Sequence, residues 1–529
     1  MRQPPRFGSP HIEVTPRPSR RDVLKLGLVA GAALAGCSAV PQRPPPGMPP
    51  VRGGVYSHGA TGGGLKDTLE PYFPVTNPDI SRVMQLYEPL LRWDANYEIE
   101  PSVAESVTPN GDNTQWTVRI RDGVEFHHGK TVTAEDVMYS LATVTDPNNT
   151  GSGGTELATV LELNNSTVVD PRTIVLQLNS PYAVLDQLLA EYTVGIIPTD
   201  FDVSRPVGTG PFAYKHFVPG QLSQFVRHEN YWDGPAWVDE LFIYDFADDA
   251  AKVNALLAGQ VQSIDNLPNY LAGTIEQQGA SPLISETGAW VPFTMRVDVA
   301  PFSDVRVRQA LRLIVDRQQM IDQALNGFGI LGNDMYAPFD PAYASDLPQR
   351  MQDIDQAKSL LRQAGQENLD VELVTSTAVG AGAVESANLF VEQARQAGVT
   401  VRLNKADANV FYGDRYLSWN FAQDFWNTRN YIPQVATSSV KGATYNETHF
   451  EDPTFTALIE QAKREPDPAR RTQLLHDAQE IEYETGGFII WGFKRQLDAY
   501  SNLVQGLEPH RYLPCSNFRF SRASFVRQP

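Results

Sequence analysis

Ser19 to Cys37 constrains this chain more than any other stretch. Arg20, Arg21, Asp22 and Lys25 lead into the apolar or small residues Leu26 to Ala35, and the run stops at Gly36 and Cys37. A charged start, a short apolar run and small residues before a break form the layout of a secretory signal peptide, and paired arginines mark the bacterial twin-arginine route. Spanning a bilayer takes about 20 apolar residues, so this run is too short to do it. Residues 1–36 are therefore expected to be removed, leaving the fold to be built from Cys37 onward. Val23 stands where the twin-arginine pattern usually has Phe. The competing reading, an amphipathic N-terminal helix with a buried cysteine, is disfavoured by the order in which arginine pair, apolar run and cysteine occur.

Leu34, Ala35, Gly36 and Cys37 resemble a lipobox, which makes Cys37 the expected site of lipid attachment. Two acyl chains on one thiol give a stable membrane anchor where a single chain is marginal. Ser38 follows Cys37 in place of the Asp that retains some lipoproteins at the inner membrane. Cys515 is then the one remaining thiol, so an internal disulfide is excluded and packing must supply the stability. Cysteine-held zinc and iron–sulfur clusters are excluded by the same count, and no metal or cofactor is expected. Cys515 itself reads as a small buried hydrophobe.

The chain has 529 residues with a formal charge of −19, and its leader carries more cations than anions, so the exported part is more acidic still. Such a balance argues against nucleic acid as a partner, because phosphate binding needs a basic footprint. Pro41 to Pro50 reads as a stiff tether, with the folded part beginning near Val51. No repeat of solenoid or propeller length is visible.

Strand and helix signals then alternate. Trp116, Val118 and Ile120 occupy every second position of a strand, as do Ile174, Leu176 and Leu178, and Thr133 with Asp136 caps a helix through Leu141. Pro181–Glu191 reads as a helix with a first-turn proline, Trp237–Phe246 as a strand, and Asp248–Gly259 as a helix closed by glycine. Asp304 caps a helix burying Val307, Ala310, Leu311 and Ile314. Helices over 356–365, 385–398 and 455–465, with strands over 371–375 and 401–403, complete an α/β protein with mixed sheets.

Four stretches carry a family resemblance: Arg121–Val137 (RDGVEFHHGKTVTAEDV), Val207–Phe212 (VGTGPF) with Asn230, Tyr231 and Trp232, Pro301–Ala310 (PFSDVRVRQA) continuing to Asp316 and Arg317, and a looser set from Ala357 to Gly365. In this order they resemble the extracytoplasmic solute-binding proteins of ABC importers, family 5, the class that includes dipeptide-, oligopeptide- and nickel-binding proteins. The resemblance runs from about residue 52 to 508. It implies a two-lobed periplasmic-binding-protein fold (class II, three domains, mixed sheets), with solute enclosed between the lobes by a hinge motion. The implied division is 51–79, 199–293 and 490–529 for domain I, 80–198 for domain II and 294–489 for domain III, after a leader (1–36) and a tether (37–50). Most signature residues read as scaffold: Gly208 and Gly210 as tight turns, Arg306 with Asp316 as an interdomain ion pair.

Eight aromatic residues lie between Phe411 and Tyr431 without a clean period, and they are expected to line the pocket. In peptide-binding relatives a Trp of this region is followed three positions later by an Asp that pairs with the peptide ammonium. Here Trp426, Asn427, Thr428 and Arg429 follow in order, so a guanidinium takes the place of the carboxylate, which suits an anionic solute rather than a simple dipeptide. Arg296 stands where many relatives have Asn and reads either as a second anion contact or as a partner of Asp298. Tyr431 and Asn446 complete the expected ligand-binding set.

Signals for catalysis are weak. Five residues separate Gly123 from Gly129 where a phosphate loop has four, His127 and His128 point to opposite faces of a strand, and no short catalytic motif is present. No catalytic residue is assigned. The reading is a non-enzymatic, monomeric, lipid-anchored binding protein outside the cytoplasm, delivering a peptide-like or other small, anionic solute to an ABC permease complex in the inner membrane. The alternatives are a folded hydrolase exported by the twin-arginine route and a ligand sensor using the same cleft.

Overall fold

Alternating apolar residues build the first sheet. Strand Gln115–Ile120 buries Trp116, Val118 and Ile120 on one face and leaves Gln115 and Thr117 outward. It pairs antiparallel with Ala104–Pro109 and Thr173–Gln177, and Thr167–Asp170 adds the fourth strand. The computed structural model describes residues 48–148 and 154–526. The signal-peptide, lipobox and most of the tether assignments, Cys37 included, lie outside the described residues. Pro50–Val51 already pairs with Ser524–Val526.

Two further sheets are mixed. In the eight-stranded sheet, Val55–Thr61 runs parallel to Glu240–Phe246 and Ser263–Ile264, while Phe212–Val218, Leu222–Arg227, Ala280–Trp290 and Gly492–Ser501 pair antiparallel with their neighbours. The five-stranded sheet has the order Thr400–Lys405, Asp370–Thr375, Phe421–Gln423, Phe293–Met295, Phe488–Ile489. Two chain segments join these sheets side by side. Ala280–Trp290 continues into Phe293–Met295, and Phe488–Ile489 continues into Gly492–Ser501, so the crossing strands pair with each other in both sheets. One hydrophobic core links the eight- and four-stranded sheets, and a second, from Phe293 to Trp491, packs helices Val305–Ile314 and Ala383–Gln396 on the five-stranded sheet. The architecture is α/β in two lobes.

Helix starts follow the capping rules read from the sequence. Asp248, Asp304, Asp316, Asp353 and Asp452 each accept a backbone N–H of the first turn. Several expectations need correction. Pro181–Glu191 is helical only over Leu185–Leu188, and before it the Tyr182 and Ala183 amides donate to Asn113 O and Lys463 O. The strand expected from Trp237 starts at Glu240. Arg306 pairs with its own cap Asp304, and Asp316 caps helix Arg317–Ala324, so no Arg306–Asp316 pair forms. Gly208 and Gly210 act through closeness rather than turn geometry: a Cβ on them would lie 2.0 Å from Leu86 O and 2.1 Å from Gln85 O. Cys515 is buried, with its thiol donating to Ile264 O.

Candidate functional site

A cavity of about 1680 Å³ opens beside the crossing strands, with walls from both lobes. That exceeds the roughly 300–1,000 Å³ typical of small-molecule pockets. One wall carries Trp93, Tyr97, Glu156, Glu191 and Tyr192 from the segments around the four-stranded sheet. The facing wall carries Asn427, Thr428, Arg429, Thr437 and Tyr445, and the floor includes Gln496 and Tyr512. The lobes also meet directly, the Ala183 amide donating to Lys463 O (2.7 Å) and the Tyr97 hydroxyl to Thr428 O (3.3 Å).

The segment between strand Phe421–Gln423 and helix Tyr431–Ser438 is extended, and its burial alternates residue by residue from Asp424 to Asn430. Side chains an odd number of positions apart in such a segment point to opposite faces. Trp426, Thr428 and Asn430 are buried, whereas Asn427 and Arg429 are exposed. Trp426 is anchored by paired backbone hydrogen bonds with Trp290 and stacks on its ring, behind Tyr445. Thr428 is partly turned in both directions: it lines the cavity, while its hydroxyl accepts from the Gly288 amide (2.9 Å) and donates to Arg511 O (2.8 Å).

Arg429 donates to Thr437 Oγ1 (3.1 Å) and lies 5.9 Å from the Trp426 ring centroid. It forms no ion pair with any carboxylate among the described residues. Its charge is felt across the cavity, where burial pushes the Glu191 carboxyl above the usual range while the Tyr512 hydroxyl and Arg429 pull it back. Glu156 is raised by burial in the same way, against its hydrogen bond from Tyr182 and the charges of Lys463 and Arg429.

Of the expected site residues, Asn427, Thr428 and Arg429 come together at this wall. Trp426, Tyr431, Arg296 and Asn446 are not among its lining residues. Tyr431 is buried, stacked on Tyr336 and donating to Glu482 (2.7 Å). Arg296 makes a two-pronged pair with Asp298 (2.6 and 3.0 Å), and Asn446 donates to Val440 O and Phe450 O within its own loop. The aromatic run from Phe411 to Tyr431 is corrected likewise, since none of its rings lines the cavity. Phe411 and Trp419 form a small core with Val291 and Val374, and Phe421 packs on Phe302 and Phe390. The missing period reflects a chain that crosses several packing environments in succession. His127, set between Gly208 N and Gly210 O, braces that closely packed segment.

Sequence reasoning missed Glu156, Glu191, Tyr97, Tyr512 and Lys494. They come from separate segments, and no local spacing links them.

Comparison with known proteins adds a family. The profile of the bacterial extracellular solute-binding proteins, family 5 (middle), matches residues 98–443. The heme-binding protein A of Haemophilus influenzae is 31% identical over 314 residues, covering 54% of this chain and 57% of that protein. That match thus spans little more than half of the relative's length. The glutathione-binding protein GsiB of Shigella flexneri is 22% identical over 482 residues, 86% of this chain and 92% of that protein. The crystal structure of the substrate-binding protein CtaP of Listeria monocytogenes superposes with a TM-score of 0.81 at 19% identity, covering 90% of this chain and 100% of that one. This likeness gives the described body a two-lobed periplasmic-binding-protein fold.

Proposed function

The chain belongs to the bacterial extracellular solute-binding proteins of family 5, and from that premise we propose that it captures a peptide-like solute bearing at least one anionic group between its lobes and hands it to an ABC permease. Proteins of this family serve ABC importers by binding peptides or related solutes, and the relatives are binding proteins rather than enzymes. The observation that carries the finer reading is Arg429: a guanidinium in the cavity wall, free of any carboxylate partner among the described residues. A guanidinium repels a ligand ammonium and grips a carboxylate through parallel hydrogen bonds. Heme and glutathione, which name two of the relatives, both carry carboxylates. The cavity volume supports a solute larger than a dipeptide.

Native mass spectrometry of gently purified protein identifies the co-purifying solute, and calorimetry with that solute then tests the site. Arg429→Ala is expected to weaken binding about tenfold or more, since charged hydrogen bonds contribute on the order of 1.5–3 kcal/mol. Equal affinity of variant and parent would remove Arg429 from the site.

The protein works as a monomer held at the extracytoplasmic face by lipid on Cys37, with the proline-rich segment as spacer. Among the described residues no helix is long and apolar enough to cross a membrane. Parent protein is expected to partition into the detergent phase of a Triton X-114 extract, and Cys37→Ser into the aqueous phase. Identical partitioning of the two would rule out this anchor.

A further inference from the structure

Lys494 lies on the crossing strand Gly492–Ser501 and lines the same cavity. Its neighbour Arg495 has a partner, Glu286, at 3.3 Å. The Lys494 ammonium has neither an ion pair nor a hydrogen bond among the described residues. Burial lowers its pKa, and no neighbouring charge offsets the shift. The charged form of an amine that lines the cavity unmatched by a carboxylate carries a cost that a ligand anion would remove.

The wall around it is built for an anion. The Lys494 ammonium lies 3.9 Å from where a Cβ on Gly380 would stand. Gly380 and Gly382 turn with φ of +118° and +84° and lead into helix Ala383–Gln396. The N-cap of this 14-residue helix is Gly382, so no side chain caps it; the Ala383 amide donates to Gly380 O (3.2 Å), which leaves the Val384 and Glu385 amides for a ligand or solvent. Thr377, Gly380, Gly382 and Val384 line the cavity at this point, together with Lys405 at the end of the adjacent strand. The single carboxylate of this wall, Glu385, is exposed and makes no ion pair with Lys494.

Lys494 and Thr428, the residue before Arg429, are tied to adjacent residues of one strand. The Thr287 hydroxyl donates to Lys494 O (2.7 Å), and the Gly288 amide donates to Thr428 Oγ1 (2.9 Å). The geometry points to a second anion subsite formed by Lys494, Lys405 and the open start of helix Ala383–Gln396, so that the solute carries two acidic groups, one held there and one at Arg429. This rests on the reading of the cavity as the solute site. It narrows the solute class from anionic to doubly acidic, whether the acids are carboxylates or phosphates. One of the two cations sits on a crossing strand and the other on the five-stranded lobe, so a doubly acidic solute would contact the joint and the lobe together.

The test uses solute-free protein labelled with ε-13C lysine, titrated with inorganic phosphate and, separately, with sodium chloride at matched ionic strength. The Lys494 signal is assigned by its loss in Lys494→Gln. A saturable shift of that signal with phosphate, absent with chloride and retained in Arg429→Gln, is the expected result. By calorimetry, Lys494→Gln is expected to weaken phosphate about tenfold or more. A signal that stays still, or that follows chloride equally, overturns the subsite. Loss of the phosphate response in Arg429→Gln overturns its independence. If Lys494 fails these tests while Arg429→Ala still weakens the co-purified solute, the second subsite alone falls.

Discussion

Asp334→Ala is expected to lower the free energy of unfolding by about 3–5 kcal/mol, read from urea denaturation, because it removes the one anion from a nest of buried guanidiniums. Asp334 Oδ2 accepts from Arg317 and Arg350, each at 2.6 Å, and Arg312 lies 4.0 Å away. The side chains of Asp334, Arg312, Arg317 and Arg350 are at most 9% exposed. Burial on its own would raise the Asp334 carboxyl, but the three cations outweigh it and hold the group below its usual range. Burial lowers the Arg312 pKa to about 9, which shows how much the site depends on the anion that remains. Asp334 Oδ1 also accepts the Ile490 amide at 3.0 Å, just where the chain leaves the five-stranded sheet for its crossing strand. The same carboxylate therefore stabilises the lobe and fixes the start of the crossing strand. Asp334→Asn keeps an acceptor and the left-handed backbone (φ +58°) while removing the charge, which separates the electrostatic loss from the loss of packing. A loss below ~1 kcal/mol for both variants would place the cluster with ordinary surface pairs and refute the argument.

The second large effect concerns acid. His58 is fully buried, with Nδ1 2.8 Å from Ser263 Oγ and no partner for Nε2 among the described residues. Burial lowers its pKa from 6.5 to about 4, despite the opposing pull of Asp265. Between those values the unfolded chain binds a proton that the folded chain refuses. Stability present above pH 6.5 is therefore lost as pH falls towards 4, by about 3 kcal/mol. His510, lowered to about 4 by burial and by Arg519, acts in the same direction. Buried carboxyls act oppositely, since Asp245 is raised to about 6 and Asp498 to about 7. For this reason the parent's total slope is not the readout. His58→Asn, with an amide where Nδ1 meets Ser263, is expected to lose about 3 kcal/mol less than the parent between about pH 7 and pH 4. Parallel stability curves for parent and variant across this range would contradict the prediction.

Local chemistry made much of the scaffold legible. Aspartate caps, two-residue alternation in strands and the family motifs need only near neighbours in the chain, so Asp304, Trp116 and the helix at Ala134 were readable directly. Readings failed where distant groups compete for the backbone. Pro181–Glu191 has a helical pattern, yet only Leu185–Leu188 is helical, and the residues before it are held by Asn113 and Lys463 from distant segments. The ligand wall was half legible. Trp426 and Arg429 were expected to act together, but the extended backbone between them sets the indole into the core and the guanidinium into the cavity.

Sequence alone was enough for the family, the alternation of helix and strand, and the guanidinium at position 429, because each depends on residue identity or short spacing. Only the tertiary structure decided that the rings of the aromatic run stay out of the cavity and that Glu156, Glu191 and Lys494 face it together with Arg429. Those outcomes arise where segments hundreds of residues apart converge on two crossing strands, and no pattern within a single segment records which side of that junction a side chain will meet.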